Sequence, residues 1–381
     1  SDDGNTWNKI VVGDTNGEPS QRISDLQMDP SNPDIMYTIR NSYFLRGGMF
    51  KSTNAGLNWT ALPIGVSNIG NSKISICKDF PNILYVNLTN NTGWATVGIF
   101  KSTDAGASWT LNTAANSILG NQGFNNVGIG VCPNDPNTVL AGGQFMARST
   151  DGGTVWTQIS DEYVHPDITS FAWKNNTEVW STSDGGIFKS TDKGITWATP
   201  DNIIFVSEIF FHSISPSLEI DQAMGLEHNG VCVTHLGGSD YRMTFGGDGS
   251  GVAFHPFDTK TVYSNVGVFQ GALPFRWFRS TSGGDYETWS DISSNITNPC
   301  GMWYSSVKTD KQTPVNIYTN VCGTVWRSGN EGSSWVNLNC PTAPGANIGR
   351  MITVNDNGVV FACPFDTGGV NAGKRQVFSG G

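Results

Sequence analysis

Hydrophobic residues in this chain come in short runs, and the runs stop at turn formers. "IMYTI" (35–39), "ILYVNL" (83–88) and "TVYSNV" (261–266) sit among Gly, Pro, Asn and Asp. Runs of this length, rich in β-branched and aromatic residues, read as strands. No long stretch carries the 3.6-residue spacing of an amphipathic helix. The pattern therefore predicts an all-β chain with helix nearly absent.

One phrase recurs through the strands. "GGMFKSTNAGLNWTA" (47–61), "VGIFKSTDAGASWTL" (97–111), "QFMARSTDGGTVWTQ" (144–158) and "GGIFKSTDKGITWAT" (185–199) are close variants. "TVWRSGNEGSSWVNL" (324–338) and "RWFRSTSGGDYETWSD" (276–291) are looser copies, and "SDDGNTW" opens the chain inside another. The anchoring tryptophans, Trp7, Trp59, Trp109, Trp156, Trp197, Trp289 and Trp335, recur at intervals of 41 to 52 residues with one double interval of 92. Repetition at this period marks solenoids, propellers or arrays.

Within each copy the order apolar-x-Ser-Thr-Asp-x-Gly-x-Thr-Trp describes a tight turn between two strands. The carboxylate accepts backbone N–H groups, the glycine supplies positive φ, and the tryptophan packs over the hairpin. The acceptor is Asp2, Asp104, Asp151 or Asp192 in the full copies; Asn54 and Asn330 retain it, and Ser282 retains it in part. The motif resembles the Asp box of sialidases, sortilin-type receptors and two-propeller xyloglucanases. That resemblance implies a β-propeller, with the box on the outer hairpin of each blade, facing away from the ligand, as scaffold.

A unit of 40 to 50 residues fits one four-stranded blade. Innermost strands are expected near Arg22, Ile74, Val127, Ile168, Ile209, Val252, Met302 and Arg350. The count gives one propeller of eight blades over 1–381, with seven as the alternative if one unit is an insertion. Residues 13–348 supply seven blades. Residues 349–381 give the inner strands of the last, and residues 1–12 its outer strand, so that pairing the termini closes the ring and removes two exposed edges.

Composition narrows the function classes. Gly is 46 of 381 residues and charged residues are 14%, against a usual ~7% and ~25%, which suits a turn-rich β-protein. A net charge of −10 and a pI near 4.9 argue against a nucleic-acid partner, since phosphate binding needs a basic face. No apolar run approaches the ~18 residues of a membrane span, so no membrane insertion is expected. The seven cysteines form no C-x-x-C pair, and no metal or cofactor is expected. Few lysines, abundant Asn, Thr and Ser, and cysteines able to pair point to an extracellular or cell-surface protein. Cys300 with Cys322, and Cys340 with Cys363, each fall at one end of a blade and are expected to be disulfides; Cys77 and Cys132 are expected to be free and buried.

Candidate chemistry lies in the loops that a propeller gathers at its mouth. Residues 161–250 supply Asp161, Glu162, Tyr163, His165, Asp167, Asp184, Glu227, His228 and Asp248. Arg22, Arg40, Arg46, Arg350, Lys374 and Arg375 are expected opposite them, making the face electrically lopsided. The segment "VHPDITSFAW", "STSDGG", "GLEHNGV", "GGDGSGVAFHP" looks like a signature of large secreted bacterial propellers resembling glycoside hydrolases. In xyloglucanases an Asp in an Asp-x-Gly-Gly turn is catalytic, and Asp184 holds the matching position. Glycoside cleavage needs a second carboxylate, and Asp167 or Asp248 would provide it. The alternative is that these Asp-Gly turns cap strand ends, with His165 and His228 as hydrogen-bonded parts of the rim.

A sialidase-like reading would use Arg22 and Arg350 to hold a carboxylate, but the Arg-Ile-Pro text expected there is replaced by "QRIS" (21–24). "GGDGSG" lacks the following helix of a phosphate-cradling loop. Tyr43, Phe44, Trp94, Tyr163 and Phe269 would offer stacking surfaces. The sequence thus favours a propeller module of a larger exported protein that binds a glycan or an extracellular protein, docking to other domains of its parent or to export machinery. A glycoside hydrolase is the alternative.

Overall fold

A computed structural model describes residues 6, 9–13, 22–43, 46–159, 164–199, 207–235, 241–267, 275–296, 305–322, 324–339, 346–366 and 378–380, with backbone alone for 346–351, 362–366 and 378–380. The chain divides into two compact units, Ser1–Val206 and Ser207–Gly381, where the repeat count gives one domain.

The first unit holds four sheets. Sheet 1 is β1 (Ile23–Met28), β2 (Met36–Arg40), β3 (Gly48–Ser52) and β4 (Thr60–Leu62). Sheet 2 is β5 (Lys73–Ile76), β6 (Leu84–Thr89), β7 (Thr96–Ser102) and β8 (Thr110–Asn112). A single four-residue helix, α1 (Asn116–Leu119), precedes sheet 3, which is β9 (Gly128–Cys132), β10 (Asp135–Gly142), β11 (Met146–Ser149) and β12 (Thr157–Gln158). Sheet 4 is β13 (Ile168–Trp173), β14 (Val179–Ser183) and β15 (Gly186–Ser190), with a lone bridge from Lys189 to Ala198 where a fourth strand would run.

The second unit repeats the plan. Sheet 5 is β16 (Ile209–Ile214), β17 (Gln222–Leu226), β18 (Gly230–Thr234) and β19 (Arg242–Phe245). Sheet 6 is β20 (Asp248–Phe254), β21 (Val262–Gly267), β22 (Phe275–Ser280) and β23 (Trp289–Asp291). Sheet 7 is β24 (Val307–Thr309), β25 (Ile317–Val321), β26 (Thr324–Ser328) and β27 (Val336–Asn337). Sheet 8 is β28 (Ala346–Val354), β29 (Val360–Asp366) and β30 (Phe378–Gly380).

Every sheet is an antiparallel meander in chain order, the order of a propeller blade. Within each unit the first strands of successive sheets touch: β1 with β5, β5 with β9, β9 with β13, and likewise β16, β20, β24 and β28. Burial follows from that stacking. The second strands lie between neighbouring sheets, and all six residues of β6 and of β21 are buried, so they read as continuous runs rather than alternations. Among the first strands β1, β13 and β16 alternate, while β9 and β20 are buried throughout.

The core is correspondingly divided. One cluster lies between sheets 1 and 2 (Ile39, Leu84, Val86), one between 2 and 3 (Tyr85, Val131, Val139) and one between 3 and 4 (Leu140, Val179, Phe188). Three more join sheets 5 and 6, 6 and 7, and 7 and 8.

The repeated phrase occupies the turn between third and fourth strands. Ser102 Oγ accepts from the N–H of Gly106 (2.9 Å) and donates to the Asp104 carboxylate (2.8 Å), which accepts from Ser108 N (2.8 Å). Asn54, Asp151, Asp192 and Asn330 are held the same way by Ser52, Ser149, Ser190 and Ser328. In the looser copy Ser280 Oγ takes the N–H groups of Ser282 (3.1 Å) and Gly284 (3.0 Å) and pairs with Thr288, so no carboxylate is used. Two successive residues have positive φ, for example Ala105 at 57° and Gly106 at 90°.

A position left as x in the motif is a cation with a defined job. Lys51 reaches the carbonyl of Ala105, Lys101 that of Gly152, Arg148 that of Lys193 and Arg279 that of Glu331. Each acceptor is the positive-φ residue of the next sheet's turn, so the side chain of one repeat latches the backbone of the following one. Tyr37 and Tyr85 lie beneath Lys51 and Lys101 (5.3 and 5.4 Å to the ring centres) and donate to the same carbonyls.

Three expectations need qualification. Among the described residues, 6 and 9–13 carry no strand, and sheet 8 has three strands; Val12 instead takes Arg40 on its carbonyl (2.7 Å). Cys322 is disulfide-bonded, while Cys300 and Cys340, and the side chain of Cys363, lie outside the described residues, as do Asp2 and Trp7. Cys77, Cys132 and Cys232 are buried and free.

Candidate functional site

The loops before the first strands and after the second strands share one end of each sheet. In sheet 4, Ile168 and Ser183 are register partners. The next residues outward, Asp167 and Asp184, therefore face each other across the mouth of that hairpin, with carboxylate oxygens within 4.8 Å. Asp167 sits at φ 69°, uncommon for a non-glycine residue, and is held there by its N–H to Gln144 O (2.9 Å). Its carboxylate accepts from Asn126 Nδ2 (2.7 Å), a buried amide that also donates to Gln122.

Asp184 heads an Asp-Gly-Gly turn, and both glycines are required. A Cβ on Gly185 would fall 2.2 Å from the Cβ of His165, while Gly186 has φ 116°. His165 thus packs against the turn, its Nδ1 3.0 Å from Pro166 O. Two carboxylates at this spacing accept paired hydroxyls or share a proton. Oxygens this close fall short of the ~6.5 Å at which an inverting glycosidase pair begins.

The same end of sheets 1 to 3 is aromatic. Arg22 lies over the Tyr43 ring (5.5 Å), which is 57% exposed. Trp94, at φ 59°, meets Phe124 edge to face, with centroids 6.5 Å apart, and its carbonyl accepts the N–H of Gly123 (2.9 Å). Asn71 Nδ2 donates to Phe124 O. Phe124 and Asn126 were not singled out by sequence. Their signal is position, in "GFNNVG" just before β9, equivalent to the place of Asp167 before β13.

Arg40 is the clearest correction. It is 6% exposed, spends its guanidinium on Val12 O and Arg46 O, and lies over Phe50. Burial between strands removes it from any ligand-facing set of arginines. Arg350 lies within β28, and Tyr163, Phe44, Phe269, Asp161, Glu162, Lys374 and Arg375 lie outside the described residues.

The second unit carries its own cluster. Ile209 and Leu226 are register partners, so Glu208 and Glu227 face each other as Asp167 and Asp184 do in sheet 4. Glu227 N donates to Glu208 O (3.0 Å), and the two carboxyl groups are hydrogen-bonded, which with the Glu227 charge raises the pKa of Glu208. Sequence reading passed over Glu208. His228, at φ 61°, has Nε2 3.6 Å from Glu227 Oε1 and Nδ1 3.5 Å from Asp248 Oδ1. Asp248 opens β20 rather than standing in a loop, is 3% exposed, and accepts the N–H of His228 (3.0 Å). Its placement is that of a strand-end acceptor.

No family model matches the chain. A curated xyloglucanase from a Paenibacillus species is 24% identical over 272 residues, covering 64% of this chain and 24% of the relative. The chain thus spans about a quarter of that relative's length. Among solved structures, the GH74 enzyme of Niastella koreensis is 16% identical, covering 89% of this chain and 66% of that one with a TM-score of 0.35. The GH74 xyloglucanase of Xanthomonas campestris is 13% identical (97% and 62% covered, TM-score 0.39). YCF48 from Cyanidioschyzon merolae is 15% identical (77% and 92% covered, TM-score 0.31). With TM-scores of this size, the blade order rests on the chain's own strand pairing.

Proposed function

We propose that this chain is a carbohydrate-binding segment of a larger exported protein, an Asp-box propeller whose eight sheets form one wheel and whose loop ends receive a glycan. The carrying observation is the Asp167 and Asp184 pair, whose carboxylates face each other beside Asn126. Aromatic side chains, Tyr43 and the Trp94 and Phe124 pair, stand at the same end of the neighbouring sheets. Carboxylates suit hydroxyl donors and rings suit the apolar faces of sugars. The Cys322 disulfide supports an oxidising, extracellular location.

A second reading, glycoside hydrolysis, is favoured by the carboxylate spacing and by the similarity to a xyloglucanase. One experiment separates them: calorimetric titration of the whole chain with xyloglucan oligosaccharides and other plant and bacterial glycans, with a reducing-end assay on each. A binding module retains the glycan without releasing new ends, and Asp184→Asn and Asp167→Asn weaken it about tenfold. A hydrolase releases ends, and Asp184→Asn lowers turnover by roughly 10² to 10⁴ while binding persists. Absence of binding to every glycan sinks both readings.

A further inference from the structure

The first strands of sheets 1 to 4 lie side by side, and between them is a cavity of about 400 Å³, within the size range of small-molecule sites. It is lined along the length of these strands, from Lys73, Gly128 and Thr169 to Lys78, Pro133 and Trp173. Its Trp173 end lies six residues along β13 from Asp167, about 20 Å, so a ligand held at that end stands apart from the carboxylate pair.

Its floor is built by two glycines. A Cβ on Gly128 would come 3.0 Å from the Phe171 ring, and one on Gly130 would come 2.8 Å from Phe171 Cβ and 3.2 Å from Trp173 Nε1. The aromatic side chains of β13 thus cross bare backbone of β9. Trp173 Nε1 is buried and meets no acceptor on the protein. A buried N–H in that condition calls for a partner.

The charges lining the cavity are Lys73, Lys78 and Asp25, a cationic balance in a chain of net charge −10. Asp25 has its oxygens occupied: it accepts from Ile74 N (2.8 Å), Leu26 N (3.0 Å) and Gln27 Nε2 (3.3 Å), with Lys73 Nζ at 3.9 Å. Lys78 is exposed. Donors therefore outnumber free acceptors, beside an aromatic surface. We propose that this cavity binds the ring of an acidic sugar, a pyranose bearing a carboxylate. The ring's apolar face lies on Phe171 and Trp173, a ring or hydroxyl oxygen accepts from Trp173 Nε1, and the carboxylate faces Lys78.

The test titrates the whole chain with glucuronate, galacturonate and glucose, followed by saturation-transfer NMR, with thermal melts showing that each variant is folded. Saturable uronate binding is expected, with glucose at least tenfold weaker. Lys78→Ala, at an exposed position, and Trp173→Phe, which removes the N–H donor together with part of the ring surface, are each expected to weaken uronate at least threefold, and Asp184→Asn to leave it unchanged. Glucose binding as tightly as uronate overturns the proposal, as does a lack of saturation. Loss of binding in Asp184→Asn but not in Lys78→Ala also overturns it, by placing the ligand at the carboxylate pair.

Discussion

At each repeated turn a single serine hydroxyl organises the backbone. Ser190 Oγ, 1% exposed, accepts from Asp192 N (3.3 Å) and Gly194 N (2.9 Å) while donating to Asp192 (2.8 Å). Ser190→Ala leaves these N–H groups unsatisfied, and a loss of about 1–3 kcal/mol is expected in urea unfolding. Asp192→Asn keeps the accepting oxygen, as Asn54 and Asn330 do, and is expected to cost less than Ser190→Ala in the same measurement. The carboxylates also set a pH dependence. Hydrogen bonds from Ser108 and Ser102 hold Asp104 down at about 2, and Asp151 is likewise lowered, chiefly by the N–H of Val155. A folded pKa below the unfolded value gives stability that is present above about pH 4 and fades as pH falls toward 2. Denaturation midpoints are thus expected to hold from pH 7 to 5 and drop between 4 and 2; an unchanged midpoint at pH 2.5 would remove this contribution.

Between elements, the latch from one sheet to the next turn carries much of the repeat's specificity. Tyr85 Oη donates to Pro136 O (2.7 Å) and Gly152 O (3.2 Å), and Lys101 Nζ reaches the same Gly152 carbonyl (3.3 Å). Burial drives the Tyr85 phenol well above its usual pKa range, so it stays a donor at any accessible pH. Tyr85→Phe is expected to destabilise by about 1–2 kcal/mol and Lys101→Met by about 0.5–1 kcal/mol. Because both serve one oxygen, the double variant is expected to fall short of the sum. Additive losses in a double-mutant cycle would show that the two contacts are independent.

At the scale of the whole molecule, cores that among the described residues lie between neighbouring sheets make stability a nearest-neighbour property. Leu140, fully buried between sheets 3 and 4 and packed under Gly194, is a direct probe. Leu140→Ala is expected to cost about 2–5 kcal/mol and to raise hydrogen exchange in sheets 3 and 4 well before sheets 6 and 7. Uniform loss of protection across all eight sheets would mean a cooperative unit instead. Ring closure has its own test: if residues 1–12 complete the last blade, deleting them is expected to raise exchange at Phe378–Gly380 while leaving sheets 2 and 3 protected. Unchanged exchange at 378–380 would place the N-terminal segment elsewhere.

Much of the architecture was legible in the chain itself. Short apolar runs at fixed spacing determined the strands, and the Ser-x-Asp-x-Gly-x-x-Trp phrase determined where each third strand turns, because both depend on contacts within a few residues. Asp167 and Asp184 were legible as candidates, since an acid beside Pro or Gly in a loop is a local signal. Their pairing was not, because it is set by the register of Ile168 with Ser183. Glu208, Phe124 and the Lys and Arg latches escaped for the same reason: each acts on a partner in another strand or another sheet. Arg40 shows the reverse case, a charge that looks available in sequence and is enclosed by the fold. Local chemistry in the sequence settled which elements form; only tertiary structure decided which side chains meet, because burial and register join residues that the chain keeps far apart.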